Sequence, residues 1–160
     1  MLFQVEVKNK QGFKDHHAEH IKHDIESLGL RHRVDVRYMI AYQLEGELNL
    51  REINTIVKEL LIDPITEESI IHIIQEIVDP NKKVKKLSNF EVEVWFKHGV
   101  TDTVSESVIK AVKDLGIEKE IKVRTGHKYI ISGNTDEDMV KQIAEKVLAN
   151  TMVQRYIVKH

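Results

Sequence analysis

The chain has 160 residues, 41% of them hydrophobic and 31% charged, with a formal net charge of -2; this composition suits a globular protein with one sizeable core or two small ones, and the mixed charges argue against a broad surface for nucleic acid or an anionic membrane. There is no cysteine, which removes disulfides, thiolate metal sites and thiol nucleophiles from these residues and suits a reducing compartment. The first nine residues alternate like a strand and unlike a signal peptide, and no apolar run approaches the ~20 residues of a membrane span, so a cytoplasmic location is expected.

Taken in order, Leu2 to Lys8 sets Phe3, Val5 and Val7 against Gln4, Glu6 and Lys8, the alternation of a strand with one buried face. Gly12 suits a turn, and Asp15 is placed to cap a helix running to about Leu28 with Ala18, Ile21, Ile25 and Leu28 as its apolar stripe. Arg33 to Glu45 reads as a long strand pattern bent or turned near Tyr38 to Ala41, and Gly46 ends it. Leu50, Ile53, Ile56, Val57, Leu60 and Leu61 predict a second amphipathic helix, stopped by Asp63 and Pro64. An apolar stretch from Ser69 to Ile74 completes a β-α-β-β-α-β order. From Gln75 to Ser88 the composition changes, with Asp79, Pro80 and Asn81 as a turn and Lys82, Lys83, Lys85 and Lys86 as a basic run. Lysines without interleaved aromatics read as a solvated tether.

The second half repeats the order. Phe90, Val92, Val94 and Phe96 oppose Glu91, Glu93 and Trp95 along a strand, which leaves Trp95 on the nominally polar side in need of a cover. Gly99 to Asp102 forms a turn, and Val104, Val108, Val112 and Leu115 make a helix stripe. Ile121 to Thr125 and Lys128 to Ile131 read as two strands joined by a hairpin turn at Gly126 and His127. A helix carrying Met139, Val140, Ile143, Val147 and Leu148 ends at Asn150, and Met152 to Val158 returns as a strand.

The two halves are copies. An offset of 87 residues lays Phe90, Val92, Glu93, Val94, Gly99, Asp102, Leu115, Gly116, Arg124, Tyr129 and Gly133 on Phe3, Val5, Glu6, Val7, Gly12, Asp15, Leu28, Gly29, Arg37, Tyr42 and Gly46 without a gap. About 17 identities fall in roughly 70 aligned positions, a tandem duplication whose period suits a small domain rather than a solenoid repeat. The expected organisation is one unit at 1–78, a linker at 79–88 and a second unit at 89–160. The expected class is α+β, two ferredoxin-like related units with antiparallel sheets, helices packed on one face and a pseudo-twofold relation.

Two groups of residues have structural readings that outweigh functional ones. His16, His20 and His23 share one helix face at metal-ligand spacing, yet the duplicate positions Thr103, Ser107 and Lys110 make no ligand set, and no metal is expected. Gly12 with Asp15, and Gly99 with Asp102, resemble anion-binding loops but read as a permissive turn followed by a helix cap.

The second-half motifs Phe-Lys-His-Gly-Val-Thr-Asp at 96–102, Asp-Leu-Gly-Ile at 114–117, Val-Arg-Thr-Gly-His-Lys-Tyr at 123–129 and Leu-Ala-Asn at 148–150 followed by Tyr156 resemble the PurS family. The first half is similar but worn: Val36-Arg37-Tyr38-Met39-Ile40-Ala41-Tyr42 lacks the glycine and lysine of its counterpart, while Leu60-Leu61-Ile62-Asp63-Pro64 keeps the helix end. A tandem pair of this kind resembles the amino-terminal region of single-chain phosphoribosylformylglycinamidine synthases of the PurL type. The resemblance implies a non-catalytic part of a glutamine- and ATP-dependent ligase of purine biosynthesis, bridging a PurL-type synthetase and a PurQ-type glutaminase and helping ammonia to pass between them. It implies no cofactor on this chain, with ATP and Mg on the synthetase. Arg37, Arg124, His127 and Lys128 then become candidates for contact with the synthetase or a substrate phosphate. A homodimer is left open, and neither nucleic acid nor membrane is an expected partner. The alternative from another class is an ACT-like regulatory module that binds a small molecule. An RNA-binding sheet fails for want of central aromatics and positive charge.

Overall fold

The computed structural model describes residues 1–30, 33–74 and 89–160; the lysine-rich linker expected at 79–88 lies outside the described residues. The first repeat supplies β1 (Leu2–Asn9), α1 (His16–Glu26), β2 (Val34–Gly46), α2 (Leu50–Ile56) and β3 (Glu67–Ile74). The second supplies β4 (Phe90–Phe96), α3 (Thr103–Asp114), β5 (Ile121–Gly133), α4 (Glu137–Ile143) and β6 (Gln154–Lys159). Helices α2 and α4 each continue into a five-residue π-helical turn, Val57–Leu61 and Ala144–Leu148, at matching positions of the two copies. The strands form one antiparallel sheet in the order β3-β1-β2-β5-β4-β6. No helix among the described residues is long and apolar enough to cross a membrane.

Two expected turns are absent. Neither Tyr38 to Ala41 nor Gly126 to His127 breaks its strand: β2 and β5 each run 13 residues without interruption. Gly126 is buried inside β5 and does not take a positive φ. What reads as two strands joined by a hairpin is one long strand whose halves serve different cores.

The chain divides into two compact units, and the divisions among the described residues fall between Phe13 and Lys14, Met39 and Ile40, Val100 and Thr101, and Gly126 and His127. The first unit gathers β1, β3, α2, the later half of β2, α3 and the earlier half of β5. The second gathers α1, the earlier half of β2, β4, the later half of β5, α4 and β6. Each unit therefore has its own four-strand run and two helices, but α1 and α3 have changed places with respect to the repeats that encode them.

Packing accounts for this exchange. In the first unit the alternation of β1 sets Phe3, Val5 and Val7 opposite Leu44, Tyr42 and Ile40 of β2, and Phe3 and Val5 opposite Ile73 and Ile71 of β3. Over that apolar face lie Ile53 and Ile56 of α2 and Val108 and Val112 of α3, in one cluster with Ile121 and Val123. In the second unit Phe90, Val92 and Val94 of β4 join Tyr129 and Ile131 of β5, covered by Ile21 and Ile25 of α1 and by Val140, Ile143, Ala144 and Leu148. Each fully buried aliphatic or aromatic side chain contributes about 1.5–3 kcal/mol of transfer free energy. The helices follow their apolar stripes to whichever sheet face completes a core.

Local signals fix the helix starts. Asp15 accepts from the Ala18 amide and Asp102 from the Ser105 amide, each at 3.0 Å. Asn49 and Glu52 form a reciprocal capping box at 2.8 and 3.0 Å. Upstream, Gly12 and Gly99 take φ of 92° and 83°, a region that costs an L-residue with a side chain appreciable strain. Gly133, at φ of 112°, carries a second constraint as well, because a Cβ there would stand 2.8 Å from the Arg33 carbonyl oxygen.

On the sheet face away from the helices, two carboxylates are buried. Glu6 is 3% exposed and accepts from His72 at 3.0 Å; at the matching positions, 3%-exposed Glu93 accepts from Lys159 at 3.2 Å. Trp95 lies on this face, is 2% exposed, and donates its indole N–H to Glu93 at 3.3 Å. A buried carboxylate hydrogen-bonded to a side chain of the neighbouring edge strand recurs in both copies, since an unpartnered buried charge is costly.

Candidate functional site

In the second unit β5 carries His127 and Tyr129 on the face that α1 covers, because residues two apart on a strand share a face. Tyr38 of β2 and His17 in the first turn of α1 complete a cluster of four rings. The Tyr38 hydroxyl hydrogen-bonds His127 Nδ1 at 2.5 Å, and Tyr129 OH hydrogen-bonds His17 Nε2 at 3.1 Å. The His17 ring centroid lies 4.0 Å from that of Tyr38 and 6.0 Å from that of Tyr129, and Tyr38 stacks on His127 at 5.6 Å.

Burial sets the protonation of this cluster. It pushes His127 below the ordinary histidine value, helped by nearby His17. His17 is also depressed by burial of its packed edge, with Asp15 acting in the opposite sense and His20 in the same sense. Burial and then Asp15 push the Tyr129 hydroxyl up to about 12. At neutral pH the group is two neutral imidazoles and two protonated phenols, each able to give and accept a hydrogen bond. Such a set fastens the start of α1 to its sheet.

The first unit lacks this cluster. The same offset carries His17, Tyr38 and His127 to Val104, Thr125 and Ile40 and keeps only the tyrosine, as Tyr42. There the polar work is done by Asp102, which caps α3 and also accepts from the Thr125 amide at 2.9 Å and from its hydroxyl at 2.8 Å. Asymmetry between copies is the sequence signal that points to His17 and Tyr38, whereas Tyr129 is kept as Tyr42 and already ends the motif at 123–129.

The candidates Arg124, His127 and Lys128 do not share one basic turn, because β5 runs through them as a continuous strand. His127 enters the ring cluster, while Lys128, one residue on, faces the other way, is 8% exposed, and pairs with Glu91 at 3.4 Å. Arg37 is exposed on the second unit's part of β2 and Arg124 is exposed on the first unit's part of β5. With no hairpin, the strand alternation that splits His127 from Lys128 replaces a single basic turn.

His16, His20 and His23 are all exposed, and His20 pairs with Asp24 at 3.4 Å. Among the described residues no group of three or more histidine, aspartate or glutamate side chains is arranged to hold a metal ion. An open cleft of about 580 Å³ in the first unit is lined by Glu45, Gly46, Glu47, Lys119, Glu120 and Lys122. Its Lys119 is already held by the Glu47 carbonyl and the Glu52 carboxylate, both at 2.9 Å, which also draws Glu52 below the usual carboxylate range.

No curated protein matches the chain. The family model PurS, described as phosphoribosylformylglycinamidine (FGAM) synthase, matches residues 2–75 and again residues 89–160. The two matched segments are the two copies, and together they span nearly all of the sequence. With its duplicated α+β architecture and paired match, this chain belongs to the PurS family of FGAM synthase, in purine biosynthesis.

Proposed function

We propose that the chain is a non-catalytic partner within an FGAM synthase assembly, in which it joins a PurL-type synthetase to a PurQ-type glutaminase and supports transfer of ammonia between them. The match of both copies to the PurS family carries this reading. The sequence has no cysteine to serve as the glutaminase nucleophile, so that group comes from another part of the assembly, as do ATP and Mg. The cytoplasm is the compartment of such a pathway. The ring cluster of the second unit and exposed Arg37 and Arg124 are the groups proposed to meet the other components. An ACT-like regulatory role has no comparable support.

The test is co-purification of the chain with synthetase and glutaminase, followed by assay of glutamine-dependent FGAM formation. Arg124→Ala is expected to leave thermal unfolding unchanged and to lower assembly or glutamine-dependent activity. Equal rates for the variant and the parent chain remove Arg124 from the contact surface.

A further inference from the structure

Residues 63–68 and 150–155 follow the π-helical turn of their copy and lead into β3 and β6, and across the 87-residue offset they share no identical residue. They nevertheless build the same turn. In the first copy the Ile65 amide donates to Asp63 Oδ1 at 2.9 Å and the Asp63 amide to Glu67 Oε1 at 2.8 Å, while the Thr66 and Glu67 amides donate to the Asp63 carbonyl at 3.2 and 2.7 Å. In the second copy the Met152 amide donates to Asn150 Oδ1 at 3.2 Å and the Asn150 amide to Gln154 Oε1 at 2.8 Å, while the Val153 and Gln154 amides donate to the Asn150 carbonyl at 3.0 and 2.7 Å. The Lys10 amide ties the first turn to the end of β1 through Thr66 O at 2.8 Å, and the Lys97 amide ties the second to the end of β4 through Val153 O at 2.9 Å.

Each frame holds one large apolar side chain out in water. Ile65 is 75% exposed and Met152 is 85% exposed, the two highest values for large hydrophobic residues among the described residues. A single exposed apolar residue is ordinary. Here it recurs at the same tip of both copies, although every residue of the turn has been replaced and neither core uses the side chain. A preformed turn also loses little entropy when its tip is buried against another protein.

The rims of the two tips differ in charge. Around Ile65 stand the carboxylates Asp63, Glu67 and Glu68; the matching positions around Met152 are Asn150, Gln154 and Arg155. The side-chain oxygens that build the frame are kept, since an amide oxygen accepts as a carboxylate oxygen does, while acid gives way to neutral and basic groups. A pocket whose charges suit one rim repels or leaves unpaired the other.

We propose that the two turns are docking tips for unlike protein pockets: Ile65 enters an apolar pocket rimmed by lysine or arginine, and Met152 enters one rimmed by aspartate or glutamate, on the other of the two components that the chain bridges. This rests on the assembly reading above and adds which elements make the contacts. The test immobilises the chain and measures binding of the synthetase and of the glutaminase separately. Ile65→Ser is expected to weaken one component about tenfold and leave the other unchanged, and Met152→Ser to do the reverse. The triple variant Asp63→Asn, Glu67→Gln, Glu68→Arg carries the second copy's residues and so keeps the frame; it is expected to weaken the same component as Ile65→Ser, by a factor that shrinks at high salt. Thermal unfolding unchanged from the parent verifies that each variant folds. A parent chain that binds neither component overturns the assembly reading and the docking tips with it. A parent chain that binds both, with serine variants that bind like the parent or that both lose the same component, overturns the docking tips alone, as does a triple variant without effect. A serine variant that alters sedimentation of the isolated chain and not its binding of either component makes the occupant a second copy and likewise overturns the proposal.

Discussion

Replacing Ile25 by alanine separates the exchanged arrangement of helices from the one that chain order suggests. Ile25 is encoded in the first repeat, on α1, but is 2% exposed in the core built on Phe90, Val92 and Val94 of the second. Removing most of a buried isoleucine side chain costs the transfer of the lost methyl and methylene groups plus a cavity, about 3 kcal/mol in all. Against a typical domain stability of about 5–15 kcal/mol, such a loss is readily measured as a lower guanidinium midpoint. Its location is the informative part. Hydrogen exchange followed by mass spectrometry is expected to show faster exchange in β4 and β6, with β1 and β3 less affected. Greater loss of protection in β1 and β3 than in β4 and β6 refutes the exchange.

Acid sensitivity follows from the ring cluster. Burial depresses both His17 and His127 in the folded chain, so the unfolded chain binds more protons at mildly acidic pH; stability is full above the ordinary histidine value near 6.5 and falls as pH drops through and below it. Thermal midpoints at pH 7.5 and 5.0 measure this, and His127→Phe is expected to flatten the difference; an unaltered pH dependence contradicts the role given to the cluster. Asp102→Ala removes the Ser105 amide bond that caps α3 and the hydrogen bonds from the Thr125 amide and hydroxyl, for a cost of about 2–3 kcal/mol. Asp15→Ala removes the cap of α1 and is expected to cost about 1 kcal/mol. Urea unfolding of the two variants gives the comparison, and equal losses would mean that the Thr125 contacts contribute nothing.

Much of the architecture is written in local patterns. Alternation in β1 and β4, the apolar stripe of α1, the middle of that of α3 at Val108 and Val112, and the aspartates before those helices each act over a few residues and are seen in the folded chain where the spacing puts them, whereas Val104 and Leu115 at the ends of the α3 stripe are exposed. The exchange of α1 and α3 is not local. A stripe such as Val104, Val108 and Val112 states which side of a helix is apolar but says nothing of which sheet it will cover. The continuous strands were hidden for a related reason: Gly126 beside His127 has turn chemistry in isolation, and the packing of Val123 into one core and Tyr129 into the other holds that stretch extended. Trp95 shows the limit of binary patterning, since it lies on the polar side of β4 and is still buried against Glu93. The ring cluster needs three distant segments to meet, and the motif at 123–129 offers only its His127 and Tyr129.

The role proposed for the chain is one carried out within an assembly. Purified synthetase and glutaminase parts, assayed for FGAM formation from glutamine with and without this chain, test it most directly. The account predicts that glutamine-dependent turnover appears or rises sharply on addition of the chain, while turnover with free ammonia changes little. Glutamine-dependent turnover that is the same in its presence and absence would contradict the account.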